Sequence, residues 1–91
     1  MNIAEAKTIL QEHLQDYRQR SYRELVDLIE GHDTMRVRGS SGVEYQLDVQ
    51  VLWDNRPHGP IRVVGAIDDF CGRTYVPVSE SFVVKQNDNR P

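Results

Sequence analysis

The sequence contains a single cysteine, Cys71, among its 91 residues. One cysteine excludes an internal disulfide and any zinc site built from several cysteines. The sequence also lacks an apolar run of the roughly 18 to 20 residues that a membrane helix requires, and its start lacks a basic segment followed by an apolar one. We therefore expect no membrane segment and no export, and the lone thiol favours a reducing cytoplasm.

Positive charge is scarce, because 11 Lys and Arg residues accompany 14 Asp and Glu residues, for a formal net charge of -3. Phosphate affinity rises with each basic side chain that displaces counterions, so this balance argues against nucleic acid as a partner. The local cluster Arg18, Arg20 and Arg23 could contact an anion near a helix start, but nearby acidic residues favour a solvated face. Nucleic-acid binding would also require Arg36 and Arg38 to converge with that cluster.

Motifs of known chemistry are missing as well. The sequence has no glycine-rich phosphate loop, HExxH, paired CxxC, GxSxG or recognisable helix-turn-helix. His13 and His32 have no second histidine or cysteine at ligand spacing, and His58 lies among turn-forming residues. We interpret all three as surface, capping or turn residues, and we expect no metal and no cofactor.

Two helices are predicted at the N-terminal end. Apolar residues three or four positions apart predict the first helix over residues 3–18. Asn2 can cap this helix, and Glu5 follows three residues later, as in a capping box.

The second helix begins with a clear signal, in which Ser21 and Glu24 are spaced to exchange side-chain and backbone hydrogen bonds. Helical spacing of apolar residues then continues over residues 22–30. Gly31 is expected to take the left-handed position at the C-terminal end of this helix.

Residues 43–53 alternate between apolar and polar side chains, which is typical of a half-buried strand. A preceding strand contains Met35 and Val37, and a three-residue loop of Ser40, Ser41 and Gly42 joins the two, with Gly42 left-handed. That loop sets Val37 opposite Tyr45 and Met35 opposite Leu47, so the apolar sides coincide. It also sets Arg38 opposite Glu44, a pair that contributes on the order of 0.2 to 1 kcal/mol.

Residues 54–60 are dense in turn formers and predict a loop before a third strand over residues 61–68. Matching apolar sides sets Trp53 opposite Ile61 and Val49 opposite Gly65. Gly65 would then leave space beside Val49 for a large side chain from a helix.

A turn over residues 69–72 leads to a last strand that begins near Arg73 or Thr74. Pro77 makes this an edge strand or one with a break, and its register stays open. Residues 81–85 can continue it and return Phe82 or Val84 to the core. The expected fold class is therefore α+β, with two N-terminal helices packed on one face of a four-stranded antiparallel meander, in a single domain over residues 1–85 with a flexible tail over residues 86–91.

Two groups of residues are candidate sites. Gln46, Asp48, Gln50 and Arg62 share the polar side of the sheet and could form a flat surface for a protein partner, chosen by charge complementarity. The exposed edge of the last strand could recruit another strand, including one from a second copy in a homodimer through the sheet. A solvated face is the simpler interpretation of the same residues.

The alternative site is the corner formed by Asp68, Asp69, Cys71 and Arg73, which could bind a small ligand or act in hydrolysis. A reactive cysteine needs a base or a positive neighbour, and Arg73 is two residues away. Adjacent carboxylates on a strand point to opposite faces, so a metal would need a sharp turn. Acids at such a turn more often accept backbone amide hydrogen bonds.

Segments 42–46, 49–54, 65–69 and 77–82 (GVEYQ, VQVLWD, GAIDD and PVSESF) together resemble small uncharacterised bacterial proteins of about this length. The resemblance spans about the C-terminal two-thirds of the chain and implies a bacterial, cytoplasmic, stand-alone domain, without assigning a role to any residue. The leading hypothesis is a small non-enzymatic domain that binds another protein, such as an immunity or regulatory subunit. The alternative is the ligand-binding or hydrolytic protein described above.

Overall fold

Two helices precede four strands in the computed structural model, which describes residues 2–69 and 78–86. The elements are α1 (Ile3–Arg18), α2 (Tyr22–Val26), β1 (His32–Arg38), β2 (Glu44–Trp53), β3 (Ile61–Asp69) and β4 (Val78–Val84). The strands form one antiparallel sheet in the order β1-β2-β3-β4. The predicted α+β class and the four-stranded antiparallel sheet are confirmed.

Helix α1 has the predicted bounds and the predicted cap, because the Glu5 amide donates to Asn2 Oδ1 at 3.1 Å. The interpretation of Glu5 as half of a reciprocal capping box is wrong. Its carboxylate instead accepts hydrogen bonds from the loop between β1 and β2. One face of the helix is fully buried through Ala6, Leu10 and Leu14, as the helical spacing predicts.

Helix α2 begins as predicted, with Ser21 and Glu24 forming the complete capping box. Its predicted extent over residues 22–30 is wrong, because the α-helix ends at Val26 and tighter turns with bonds three residues apart follow. The left-handed residue is Glu30, with φ of 68°, rather than Gly31. The cause is tertiary, since the Glu30 amide donates to the Val51 carbonyl at 3.1 Å and draws the chain onto the sheet.

The hairpin between β1 and β2 has the predicted register. Val37 lies opposite Tyr45, Met35 lies opposite Leu47, and the Gly39 amide donates to the Val43 carbonyl at 2.8 Å. Gly42 has φ of 91°, a backbone conformation that residues with a side chain rarely adopt. This three-residue loop keeps the apolar sides of both strands together.

The register of β2 and β3 is also confirmed, with Trp53 opposite Ile61 and Val49 opposite Gly65. Leu10 and Leu14 of α1 pack against Gly65. A Cβ added at Gly65 would lie 2.8 Å from Leu10 Cδ1 and 3.0 Å from Leu14 Cδ2. The expectation that this glycine makes room for a helix side chain is therefore confirmed.

Strand β4 returns Val84 to the core at 0% exposure, and Phe82 packs against that core. The predicted turn over residues 69–72, the strand start near Arg73 or Thr74 and the break at Pro77 fall on residues 70–77, outside the described residues. Most of the tail predicted over residues 86–91 lies outside them as well, and the single domain over residues 1–85 stays a prediction. Neither α1 nor α2 is long and apolar enough to cross a membrane.

Candidate interaction surface

Alternate residues of each strand face away from the hydrophobic core and form what we call the polar face. Burial alternates along β2 and β3, and the strand registers align the less buried residues across the sheet. The polar face consists of His32, Thr34, Arg36 and Arg38 of β1, Glu44, Gln46, Asp48, Gln50 and Leu52 of β2, Arg62, Val64, Ala66 and Asp68 of β3, and Ser79, Ser81 and Val83 of β4. The four residues predicted as a partner surface all lie on it.

Asp48 is held by β1 on this face. The Thr34 hydroxyl donates to Asp48 Oδ1 at 2.7 Å, and His32 Nε2 lies 3.7 Å from the same oxygen. These contacts give the polarity of Asp48 a structural reason. The neighbouring pair of Arg38 and Glu44 has its predicted contact, at 3.3 Å.

Arg62 is anchored at the far end of the polar face. Its Nε donates to Asp54 Oδ1 at 2.6 Å, and its Nη1 donates to Ser81 Oγ at 2.9 Å. The guanidinium therefore joins the loop after β2 to β4, which limits how far it can reach toward a partner.

Gln46 and Gln50 differ from these residues, because neither side chain forms a hydrogen bond with another residue in ranges 2–69 and 78–86, and both are exposed. Gln50 lies opposite Val64 on β3, next to a short apolar strip of Leu52, Ala66 and Val83. Val83 is 37% exposed. The exposed amides, together with the exposed Val83 and the half-buried Leu52 and Ala66, form the part of this face whose side chains make no hydrogen bond within the described residues.

The alternative corner is only partly described. Asp68 lies on the polar face and Asp69 lies opposite Tyr45 on the other side, so the two carboxylates diverge as strand geometry requires. The Asp69 amide donates to Asp68 Oδ1 at 2.9 Å. Cys71 and Arg73 lie outside the described residues. A shallow cavity of about 180 Å³ is lined by Gln46, Asp48, Ala66, Ile67, Asp68 and Asp69.

On the other side of the sheet, a groove runs between α1 and β1. Its cavity of about 630 Å³ is lined by Glu5, Ile9, Glu12 and His13 from α1 and by Val37 and Arg38 from β1, among others. We call this the α1–β1 groove. Helix α1 contacts β3 and β4 more closely than β1, which leaves the space open.

Glu5 closes one end of the α1–β1 groove. Its carboxylate accepts from the Ser41 hydroxyl at 2.6 Å, the Tyr45 hydroxyl at 2.8 Å, the Ser41 amide at 3.0 Å and the Ser40 hydroxyl at 3.1 Å. Hydrogen bonds from the Ser41 hydroxyl and from Tyr45 are the main cause that lowers the pKa of Glu5 to about 2. Burial, and then Glu5 itself, raises the pKa of Tyr45 to about 12.

The far end of α1 is tied to β1 by a second contact. The Tyr17 hydroxyl lies 3.2 Å from Asp33 Oδ2, to which it donates. Burial and the Asp33 carboxylate raise the pKa of Tyr17. A cavity of about 350 Å³ lies here, lined in part by Tyr17, Arg20 and His32.

Arg18 and Arg20, which belong to the basic cluster predicted from the sequence, contact different residues. Arg18 lies over the Phe82 ring at 4.4 Å, whereas Arg20 lies over Tyr17 at 5.4 Å and pairs with Asp16 at 3.3 Å. His58 lies near Trp53, with ring centroids 5.7 Å apart. Within residues 2–69 and 78–86, no group of three His, Cys, Asp or Glu residues could hold a metal ion.

Sequence reasoning missed the Glu5 cluster and the α1–β1 groove. The apolar face of β2 did contain one usable signal, because Tyr45 falls at a buried position and a buried phenol needs a hydrogen-bond partner. Its partner could not be identified, since the spacing from Asn2 already assigned Glu5 to a capping box.

No protein-family model, curated protein or solved structure matches this chain.

Proposed function

We propose that this chain is a small non-enzymatic interaction domain that binds another protein through the polar face. The contact would centre on Gln46, Gln50 and Val64, with Asp48 and Arg62 fixed at its sides. A regulatory or immunity subunit is the kind of protein that this arrangement suits, and a second copy of the chain is the competing partner.

The proposal includes the predicted layering, in which both helices pack on one side of the sheet and leave the polar face uncovered. The contacts of Leu10 and Leu14 with Gly65 and the full burial of Leu25 support that layering. A sheet with one covered and one open face is common among antiparallel folds, so openness alone is weak support.

The observation that carries the proposal is the position of the exposed amides of Gln46 and Gln50 beside a partly exposed apolar strip. Protein interfaces combine an apolar centre with polar groups that can form hydrogen bonds to the partner. The charged side chains around this centre already have contacts within the chain, so they fix the shape of the face. The amides are the groups left to recognise a partner.

Affinity capture from cells that naturally contain the chain tests the proposal. Gln50→Arg introduces a long charged side chain at the centre of the polar face, and Gln15→Arg makes the same change on the exposed side of α1. We expect a partner retained by the wild type and by Gln15→Arg to be lost by Gln50→Arg. Equal retention by all three proteins would contradict the proposal.

The second candidate function is binding of a small ligand at the Asp68 corner, which the cavity between Asp48 and Asp68 favours. At about 180 Å³ this cavity is smaller than the roughly 300 to 1,000 Å³ of typical ligand sites, which places this function second. A ligand that binds the folded chain raises its melting temperature. A thermal-shift screen of metals and metabolites on the wild type and on Asp68→Ala would show a rise only in the wild type, and a flat response would reject this function.

A further inference from the structure

The α1–β1 groove adjoins a strand edge. Strand β1 is first in the sheet order, so one edge pairs with β2 and the other pairs with no strand in ranges 2–69 and 78–86. An unpaired edge presents a row of backbone donors and acceptors to which another strand can add.

The ladder identifies which backbone groups point outward. The Gly39 amide donates to the Val43 carbonyl, so this pair is a hydrogen-bonded position. Such positions alternate along an antiparallel pair. Counting back from Gly39 in steps of two, the odd-numbered residues bond to β2, and the amides and carbonyls of Thr34, Arg36 and Arg38 point to the open edge.

The two sides of this edge differ in chemistry. On the groove side, Met35 and Val37 are half-buried, and the half-buried Ile9 of α1 lines the groove together with Val37. An added strand would bring every second side chain over these three residues. Ile9, Met35 and Val37 therefore favour apolar side chains on that side of the site.

On the polar face, the same strand carries His32, Arg36 and Arg38. The Arg38 side chain is 70% exposed, and its contact with Glu44 is a surface ion pair. Such pairs contribute little and exchange readily with another carboxylate. The side chains of an added strand that point this way would meet positive charge.

We propose that β1 receives an extended segment of another protein in which apolar and acidic side chains alternate. The apolar side chains enter the α1–β1 groove, the carboxylates lie beside Arg36 and Arg38, and the backbone bonds to the open edge. A second copy of β1 fits less well, because its own polar side carries the same basic residues and would set like charges together.

This site goes beyond the polar-face proposal, since its affinity comes from the strand edge and the groove. The strand-addition proposal and the polar-face proposal can fail independently of each other. Loss of strand addition would leave the capture result with Gln50→Arg unchanged, and failure of that capture would leave strand addition intact.

A peptide of seven residues, the length of β1, tests the site. It alternates valine with glutamate, and one control replaces glutamate with lysine while a second methylates the peptide nitrogens that would face β1. In nuclear magnetic resonance titrations, we expect the glutamate peptide to slow hydrogen exchange at Thr34, Arg36 and Arg38 and to shift the methyl signals of Ile9 and Val37. Neither control should do so at the same concentration.

Reversing the charge of the strand gives the sharpest comparison. The double variant Arg36→Glu and Arg38→Glu should bind the lysine peptide and lose the glutamate peptide, whereas Gln15→Arg, on the exposed side of α1, should bind as the wild type does. No response at millimolar glutamate peptide, or equal binding of both peptides by the wild type, would overturn the proposal. Protection of the same amides by raising the concentration of the chain alone would also overturn it, because the occupant would then be a second copy.

Discussion

The Tyr45 hydroxyl donates a hydrogen bond to the Glu5 carboxylate at 2.8 Å, and this bond ties α1 to the centre of the sheet. Tyr45 is fully buried on β2, while Glu5 lies in the first turn of α1. The same carboxylate also holds both serines of the loop between β1 and β2. One acidic side chain therefore fixes a helix, a hairpin loop and a buried phenol together.

Acid should weaken this cluster. The pKa of Glu5 falls from 4.5 to about 2 on folding, so its contribution to stability is full above pH 4.5 and is lost as the pH falls toward 2. Glu5→Gln should remove this part of the pH dependence. Urea unfolding of both proteins across that range checks it, with Glu12→Gln as the control on the same helix. An equal loss of unfolding free energy in acid for Glu5→Gln and the wild type would contradict the assignment.

High pH should weaken the same cluster through Tyr45, the hydrogen-bond partner of Glu5. The pKa of Tyr45 rises from 10.0 to about 12 on folding, so its contribution is full below pH 10 and is lost as the pH rises toward 12. Tyr45→Phe cannot ionise and should lose less stability over that interval. Unfolding monitored by circular dichroism measures the difference, and tyrosinate absorbance should show a late-ionising phenol in the wild type that is missing from Tyr45→Phe. Equal alkaline losses in both proteins would count against the buried phenol.

Gly65→Ala should destabilise the chain by about 1 to 3 kcal/mol, because the added methyl group meets Leu10 and Leu14 in a filled core. Chemical denaturation measures the change. The double variant with Leu10→Ala is the control, since removing the nearest side chain gives the methyl group space. Gly65→Ala should then cost less in the Leu10→Ala background than in the wild type, and additive effects would contradict the contact.

Gly42→Ala isolates backbone strain from steric contact. Its φ is 91°, and, apart from its two chain neighbours, no residue in ranges 2–69 and 78–86 has a heavy atom within 4 Å of a Cβ added there. The cost should be about 1 to 2 kcal/mol, the penalty for an L-residue in a left-handed conformation. Gly42→Asn should cost less, because asparagine tolerates this region better. Equal denaturation midpoints for the wild type and Gly42→Ala would show that the loop does not need a glycine.

The registers of β1 with β2 and of β2 with β3 could be predicted because local rules agreed with one another. The loop ending in Gly42 and the alternation around Tyr45 require the same register, and the turn-rich loop before Ile61 requires its continuation. The end of α2 could not be predicted, because the bond from Glu30 to the Val51 carbonyl joins residues far apart in the sequence. Local capping signals contain no information about such a bond.

Of the two candidate surfaces, the polar face could be predicted from the sequence and the α1–β1 groove could not. The polar face follows from period-two alternation, so Gln46, Asp48, Gln50 and Arg62 could be placed together from the sequence. The α1–β1 groove depends on where α1 crosses the sheet, and that is decided by the fit of Leu10 and Leu14 over Gly65. The role of Glu5 was missed for the same reason, since its partners Ser40, Ser41 and Tyr45 lie 35 to 40 residues further along the chain.

The most direct test of the polar-face proposal places a photo-crosslinking amino acid at Gln50 in cells that naturally contain the chain. The same amino acid at Gln15, on the exposed side of α1, serves as the control. We expect a discrete crosslinked partner protein from position 50 and none from position 15. Crosslinking to the same protein from position 15 alone, or from both positions equally, would contradict it.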